Sequence, residues 1–202
     1  MSDEWDDESF SEPADESAGR PTDEPALGLA RGTVELVSYD PRWRDAYDRE
    51  VARLDPRIDE YVLGFEHVGS TSIPGLAAKP ILDILALVSD LGETDALARE
   101  LEELGYEERP NDEVPDRRFF ARGPESRRTH YLSVTERGSE CHRDQVAFRD
   151  ALRADSDRRD EYESLKRALE SSHRENRSAY TSAKSSFVQS VIDGASDDFD
   201  PP

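Results

Sequence analysis

A glycine-serine turn followed by an aspartate in an apolar run is the part of this chain best equipped for chemistry. The run HVGSTSIPGLAAKPILD covers residues 67–83 and holds Gly69, Ser70, a lone Lys79 and Asp83. Backbone amides at such a turn can face a phosphate group, and a carboxylate on a strand can hold a cation such as Mg2+. Together they are the minimum that a nucleotide site needs.

The few lysines of the chain are a second group of candidate binding residues. Its 26 basic residues include only three lysines, and these are Lys79, Lys166 and Lys184. A lysine ammonium is a compact point charge, so in a chain that otherwise uses arginine each lysine is a candidate for a specific role. The last two each lie four residues after a tyrosine, Tyr162 or Tyr180. Such a pair either lines a nucleotide site or packs the tyrosine against the lysine stem.

The composition is strongly acidic. The 202 residues carry 47 acidic and 26 basic side chains, which gives a formal net charge of -21. An acid-rich, lysine-poor surface resembles those of halophilic proteins, for which molar salt screens the repulsion between like charges. No basic stripe is present, so we expect no nucleic-acid partner held by bulk charge. The single cysteine, Cys141, excludes an internal disulfide and a cysteine-rich metal site.

Acidic segments at both ends of the chain have the composition of tails. Neither end can bury enough apolar surface to offset the entropy of ordering it. We therefore predict disordered acidic tails at residues 1–30 and 195–202, and one domain at residues 31–194. The first residues lack the pattern of a signal peptide, and no apolar run is long enough to span a bilayer. We expect a soluble, cytoplasmic protein without a membrane partner.

The order of the predicted elements indicates the fold class. Period-2 alternation and apolar runs predict strands, and 3.6-residue periodicity predicts helices. The predicted strands cover residues 33–39, 61–68, 80–88, 117–122 and 129–135. The predicted helices cover residues 41–54, 95–105, 140–154, 156–172 and 174–192. This order predicts an α+β domain with a small mixed β-sheet and a helical C-terminal half.

The run HVGSTSIPGLAAKPILDI resembles the signature of the GrpB family, whose members look like the nucleotidyltransferase superfamily. Three later segments agree with the family in the same order: FRDALR at residues 148–153, then Tyr162 with Leu165-Lys166, then Tyr180, Lys184 and Phe187 in the pattern Y-x3-K-x2-F. The resemblance covers about residues 33–193. It implies a nucleotidyltransferase-like α+β fold.

The resemblance also implies roles for the first motif. Nucleotidyltransferase-like proteins carry a Gly-Ser turn that faces phosphate and, on a following strand, two acids that bind two metal ions. Gly69-Ser70 matches the turn and Asp83 matches the first acid, whereas Leu85 stands where the second acid is expected. A second carboxylate would have to come from elsewhere. The candidates for it are Glu66, Asp112, Glu113 and Asp116.

The predicted function is to bind a phosphorylated ligand, a nucleotide, with Mg2+ and to transfer a nucleotidyl group to a small acceptor. The predicted catalytic and metal-binding residue is Asp83. The predicted phosphate or nucleotide contacts are Gly69, Ser70, Thr71, Lys79, Arg118, His130, Lys166, Tyr180 and Lys184. The alternative is a catalytically inactive nucleotide- or coenzyme A-related module, because domains of this family also occur joined to dephospho-coenzyme A kinase. The chain itself contains no P-loop motif.

Several of these residues also have a structural interpretation. Asp83 is either a ligand or the partner of Lys79 or an arginine in a buried salt bridge. Arg117 and Arg118 point to opposite faces of one predicted strand, so at most one of them reaches a shared pocket. His130 is either a polar contact to the ligand or a hydrogen-bonded structural histidine.

Overall fold

The computed structural model describes residues 24–110, 114 and 116–196. Most of the two predicted tails, at residues 1–23 and 197–202, lies outside the described residues. The described part of the N-terminal segment is folded: Leu29 is buried and its backbone pairs with that of Arg128. Leu29 belongs to a buried cluster with Ala121 and Tyr131 of the sheet. The folded part therefore begins before residue 31, because this short apolar segment covers sheet surface.

The described residues form five strands and six helices. The strands are β1 (Gly64–Val68), β2 (Leu82–Val88), β3 (Tyr106–Glu108), β4 (Arg117–Arg122) and β5 (His130–Glu136). The helices are α1 (Arg42–Ile58), α2 (Asp95–Glu103), α3 (Glu140–Ala154), α4 (Ser156–His173), α5 (Arg177–Ala183) and α6 (Ser185–Ser196). Short 3-10 turns lie at Ser70–Ser72 and Leu91–Glu93. Within the described residues, no helix combines the length and apolarity needed to cross a bilayer.

The five strands form one mixed sheet in the order β1-β2-β5-β4-β3. Strands β2 and β5 pair in parallel, and the other neighbours are antiparallel. The apolar run of β2 suits its place between two other strands. Its register sets Asp83 beside Val68 on one side and Tyr131 on the other. The predicted α+β class with a small mixed sheet and a helical C-terminal half is confirmed.

Side-chain alternation divides β2 between the two faces of the sheet. Leu82 and Ile84 belong to the main core, together with Trp43 and Leu54 of α1. Leu85 points to the opposite face, where it packs against residues of β1 and α3. Because successive side chains alternate along a strand, Asp83 shares the face of Leu85 and looks toward the helical half.

Two predicted elements differ from the structure. Residues 33–39 form no strand, because their backbone amides bond elsewhere: Val34 donates to the carbonyl of Arg174, and Leu36 to the carboxylate of Glu170. Only Val37 pairs with a neighbouring segment in the manner of a strand. The predicted helix at residues 174–192 is divided into α5 and α6, and Lys184 lies at the division.

Candidate functional site

A cleft of about 500 Å3 lies between the second face of the sheet and the helical half of the molecule. We call it the main cleft. Its sheet side includes Asp83 and Tyr131, and the turn that begins at Gly69 forms one edge. Its helical side includes residues of α3, α4, α5 and α6.

The glycine turn and the strand aspartate are in direct contact. Gly69 has φ 66°, and a Cβ built on it would lie 2.9 Å from Asp83 Cβ and Cγ. A side chain at position 69 would thus be strained by the backbone and would also displace Asp83. The sequence motif places a glycine where the carboxylate approaches the turn most closely.

Asp83 lines the cleft without a direct partner among the described residues. No described residue makes a hydrogen bond or salt bridge with its carboxylate, so the predicted structural alternative, a salt bridge with Lys79, is not formed. Burial raises the pKa of Asp83, and the nearby charges of Lys79 and Arg177 oppose that rise. The carboxylate is therefore held in the cleft by the fold and by longer-range attraction.

All three lysines of the chain line the main cleft. Lys166 is 1 % exposed, and its Nζ donates to Ser70 Oγ at 3.1 Å and to the carbonyl of Ala77. Lys184 Nζ donates to Tyr162 Oη at 3.4 Å. Each of these two lysines therefore has a polar contact that holds its ammonium at the cleft.

Tyr180 lies close to both Lys79 and Lys184. Lys79 Nζ lies 5.9 Å and Lys184 Nζ 5.3 Å from the centre of its ring. The electron-rich face of an aromatic ring attracts a cation at such distances. Tyr180 thus helps to hold both ammonium groups beside the same cavity.

Two of the lysines have strongly altered acidity. Burial lowers the pKa of Lys79 to about 7, and the neighbouring charges of Arg177 and Lys184 contribute. Burial lowers the pKa of Lys166 to about 7 as well, again with a contribution from Lys184. An anion in the cleft would stabilise the charged form of both amines and raise these pKa values.

Arginines and aromatic rings complete the cleft. Arg117 of β4 lines it, and Arg177 of α5 donates to Tyr131 Oη at 2.6 Å. Tyr162 stacks on Phe187 with ring centres 5.2 Å apart. The cleft thus combines cationic groups with flat apolar surfaces, a combination that suits a phosphorylated aromatic ligand.

One side of α3 contributes residues that the sequence analysis missed. Cys141, Asp144, Gln145 and Phe148 all line the cleft. Their spacing of i, i+3, i+4 and i+7 marks one helix face. Burial raises the pKa of Asp144, and the charge of Glu140 adds to the rise. In the sequence, this mixed polar and apolar stripe at helical spacing is the pattern that could have indicated a helix face lining a site.

The charge balance of the cleft is opposite to that of the chain. Its described lining contains five cationic residues and two carboxylates, although the whole chain has a net charge of -21. The cationic residues are Lys79, Arg117, Lys166, Arg177 and Lys184. The arrangement therefore favours an anionic ligand.

The described residues do not fit a two-metal site. Leu85, at the position of the expected second acid, is fully buried against Val68 and Val146. Glu66 accepts a hydrogen bond from Arg149 at 2.6 Å and does not line the cleft. No cluster of three or more metal-binding side chains occurs among residues 24–110, 114 and 116–196.

The other predicted donors of a second acid do not complete such a site in the described structure. Asp116 is exposed and does not line the cleft. Asp112 and Glu113 lie outside the described residues.

Most of the predicted ligand contacts come together in the main cleft. Gly69, Ser70, Thr71 and Tyr180 line it, as do Asp83 and the three lysines. The fold thus brings the members of this predicted group to one cavity.

Arg118 and His130 are not brought into the cleft. Arg118 donates to Glu108 at 2.7 Å and to Asp95 at 3.0 Å. His130 Nδ1 lies 2.9 Å from Thr129 Oγ1, and its other ring nitrogen lies 3.9 Å from Glu50. Both side chains are on the sheet face that packs against α1 and α2, because strand alternation turns them away from Arg117 and Tyr131.

Comparison with known proteins gives the same family for most of the chain. Residues 33–193 match the family model described as GrpB protein. A UPF0157 protein from Halalkalibacterium halodurans is 39% identical over 163 residues, which cover 79% of this chain and 81% of the relative. A dephospho-CoA kinase from Mycolicibacterium paratuberculosis is 40% identical over 81 residues, which cover 39% of this chain and 20% of that protein.

A solved structure shares the fold. The crystal structure of the conserved protein GrpB from Enterococcus faecalis has a TM-score of 0.74 and 31% sequence identity. The match covers 81% of this chain and 98% of that chain. On the family match and these similarities together, the chain belongs to the GrpB family.

Proposed function

We propose that the main cleft binds a phosphorylated small molecule, a nucleotide, through its lysines and arginines. One observation carries the proposal: the only three lysines of an otherwise arginine-rich chain line a single cavity. Lysine is a well-suited point charge for phosphate oxygens. A purely solubilising role would leave lysines on the open surface, whereas these three point into a cleft.

The phosphate groups would bind near the glycine turn. Lys166 Nζ contacts Ser70 Oγ, and Lys79 lines the same cleft. The hydroxyl of Ser70 and the ammonium groups can donate hydrogen bonds to phosphate oxygens. Asp83 stands beside this position and disfavours an excess of bound negative charge, so it would help to set the charge of the preferred ligand.

The base of the nucleotide would bind near the aromatic side chains. Phe148 and Phe187 pack around Tyr162, with ring centres 5.2 Å from it. Flat rings next to cations provide surface for stacking a base. Phe148 also lines the main cleft, and Lys166 Nζ lies 4.8 Å from the centre of the Tyr162 ring, so aromatic surface and positive charge are adjacent in the cavity.

Coenzyme A and its precursor belong in the same ligand class. Part of this chain is similar to proteins named dephospho-CoA kinase, from two mycobacterial species. Coenzyme A carries an adenosine and phosphate groups, as nucleotides do. We therefore include it among the ligands of the proposed binding module.

Mg2+-dependent nucleotidyl transfer is the second candidate function. A specific contact favours it: Asp83 lies against Gly69, so a strand carboxylate and a phosphate-sized turn are adjacent. Leu85 stands where the second acid of two-metal chemistry is expected, and the described residues contain no cluster of three metal-binding side chains. We therefore rank it below metal-independent binding.

Calorimetric titration of the full chain tests the proposal. ATP, GTP, CTP and coenzyme A are titrated separately in EDTA and in Mg2+. We expect at least one of them to bind in EDTA, and Lys184→Gln to weaken that binding by about tenfold, the usual order for one charge-assisted contact. Arg143→Gln is the matched control, since Arg143 is exposed on α3 and does not line the cleft.

The result also separates the two candidates. Binding that requires Mg2+, together with release of pyrophosphate, would favour nucleotidyl transfer. Absence of binding by all four ligands under both conditions would exclude both functions for these ligands.

A further inference from the structure

A second, smaller cavity adjoins the segment that follows β1, and this segment also borders the main cleft. The volume of the second cavity is about 350 Å3. Three arginines from three helices line it: Arg44 from α1, Arg153 from α3 and Arg159 from α4. His67 and Thr71 line it as well, and no acidic residue occurs in its described lining.

The contacts of Arg44 and Arg159 engage only some of the hydrogen-bond donors of each guanidinium group. Arg44 Nε lies 3.1 and 3.2 Å from the two carboxylate oxygens of the exposed Asp48. Arg159 Nε lies 3.4 Å from the exposed Asp160. A guanidinium has five N–H donors, so each of these two arginines retains donors that these contacts do not engage.

Arg153 is held by the turn itself. It donates two hydrogen bonds, of 3.1 and 2.8 Å, to the carbonyl of Ser72. Burial lowers the pKa of Arg153, and the charges of Arg149 and Arg44 lower it further. Arg153 Nη1 also lies 3.4 Å from Asp150 Oδ1, so each of the three arginines has a carboxylate neighbour, but none of these carboxylates lines the cavity.

The third arginine lies near Gly75, which follows the glycine-serine turn along the chain. Gly75 has φ +82°, and a Cβ on it would meet Arg159 Nε and Cζ at 3.9 Å. A side chain at position 75 would therefore be in van der Waals contact with the guanidinium of Arg159. The segment that carries the glycine-serine turn of the main cleft also positions a cation at the second cavity.

His67 links the second cavity to the main cleft. Its ring stacks on Tyr47, and its Nε2 lies 3.1 Å from Thr71 Oγ1. Burial lowers the pKa of His67 to about 3, helped by the charges of Arg153 and Arg44, so the imidazole contributes hydrogen bonding and no charge. Thr71 lines both cavities.

We propose that this second cavity is an anion site that binds a phosphate group. Guanidinium groups present paired donors that match phosphate oxygens, and three of them from separate helices converge here. The phosphate group is either a free ion or the outlying phosphate of a ligand whose remainder occupies the main cleft. The two sources share one chemistry, and the experiment separates them.

The test uses the full chain and inorganic phosphate as the probe. Phosphate binding is followed by calorimetry at low ionic strength, where screening is weak. We expect Arg159→Gln and Arg44→Gln each to weaken phosphate binding by about tenfold, the order of magnitude of one charge-assisted pair. Arg158→Gln is the matched control, because it removes the same charge from the adjacent residue of α4, which does not line the cavity.

The same variants are then titrated with ATP. Weaker binding of phosphate with unchanged binding of ATP would identify a separate site for the free ion. Weaker binding of ATP alone would identify the site of an outlying phosphate. If Arg44→Gln and Arg159→Gln both remain folded and bind phosphate and ATP as the unmodified protein does, the proposal is overturned. Lys184→Gln shows which part of the phosphate signal comes from the main cleft.

Discussion

The side chain of Asp83 lies against the backbone of Gly69. A Cβ at position 69 would come within 2.9 Å of Asp83 Cβ and Cγ. The contact joins two features that are separated along the chain, the glycine-serine turn and a carboxylate of β2. A ligand that binds at the turn would therefore also meet the carboxylate.

Replacing Gly69 tests this contact directly. We expect Gly69→Ala to lower the free energy of unfolding by about 2 to 4 kcal/mol, because the methyl group adds a steric clash to an unfavourable φ. Gly138→Ala is the control, since Gly138 has φ +84° and no atom within 4 Å of its built Cβ. It should cost only about 1 kcal/mol, the price of the backbone alone. Urea denaturation measures both, and equal losses would contradict the close contact.

Asp83→Asn distinguishes the two roles proposed for the aspartate. In metal-independent binding, Asp83 repels the anionic ligand, so its replacement should strengthen nucleotide binding in EDTA by about threefold or more. In nucleotidyl transfer, the same replacement should remove Mg2+-dependent binding and activity. Calorimetry with and without Mg2+ reports both effects. A loss of binding in EDTA would count against the metal-independent role.

The pKa of Lys79 predicts how stability changes with pH. The folded-state pKa is about 7, against an ordinary value of 10.5. Between these two pH values the unfolded chain binds the proton and the folded chain does not, so the free energy of unfolding rises with pH. One lysine contributes a slope of at most about 1.4 kcal/mol per pH unit. Below pH 7 both states are protonated, and the full cost of burying the charge remains.

Lys79→Met should remove the contribution of Lys79 to this dependence and leave that of Lys166, whose pKa is also lowered to about 7. We expect the variant to be more stable than the unmodified protein at pH 6 and to approach it near pH 10. The reason is that the variant no longer buries a charged amine at low pH. Near pH 10, just below the unfolded-state pKa of 10.5, the folded-state amine is already neutral and only a small part of the difference remains. Urea denaturation at several pH values measures the difference. An equal gain in stability at pH 6 and pH 10 would show that the side chain acts through packing and not through its proton.

Ligand binding should take up protons. An anion in the cleft raises the pKa of Lys79 and Lys166 from about 7, so near pH 7.5 these amines gain protons on binding. Affinity should therefore fall as pH increases above 7. Calorimetry in two buffers with different ionisation enthalpies gives the number of protons taken up. A value of zero for the unmodified protein would contradict the involvement of both amines.

Arg117 and Arg118 form a matched pair on one strand. Arg117 lines the cleft, whereas Arg118 bonds to Glu108 on the opposite face. We expect Arg117→Gln to weaken nucleotide binding by about tenfold and Arg118→Gln to leave it unchanged, although both remove one positive charge. Thermal unfolding serves as the check that both variants are folded. The reverse order of effects would contradict the placement of β4.

The site could be predicted in part because its glycine turn, its aspartate and its lysines are unusual in type as well as in position. Gly69, Asp83 and Lys79 lie in one apolar motif, and the lysines stand out against an arginine-rich chain. Residue type alone thus indicated the groups that the fold later brings together. The fold class could be predicted because alternating and apolar runs are local patterns that indicate strands.

The remaining features could not be predicted from the sequence, because they depend on strand register and on contacts between residues far apart in the chain. The choice between Arg117 and Arg118 requires the pairing of β4 with β5, which turns the first toward the cleft. The segment at residues 33–39 has a strand-like pattern, but Leu36 bonds to a carboxylate of α4. Asp144 was missed because only the packing of α3 shows which helix face meets the cavity.

The concentration of lysines gives the molecule an unusual surface chemistry. Since Lys79, Lys166 and Lys184 all line one cavity, the rest of the exterior offers no ε-amine to an acylating reagent, a carbonyl label or a lysine-directed protease. Isotope-labelled methyl groups attached to these amines would act as spectroscopic reporters at that single location. If an added compound protected these amines from chemical modification, that protection would show that the compound occupies the cleft, without any engineered tag.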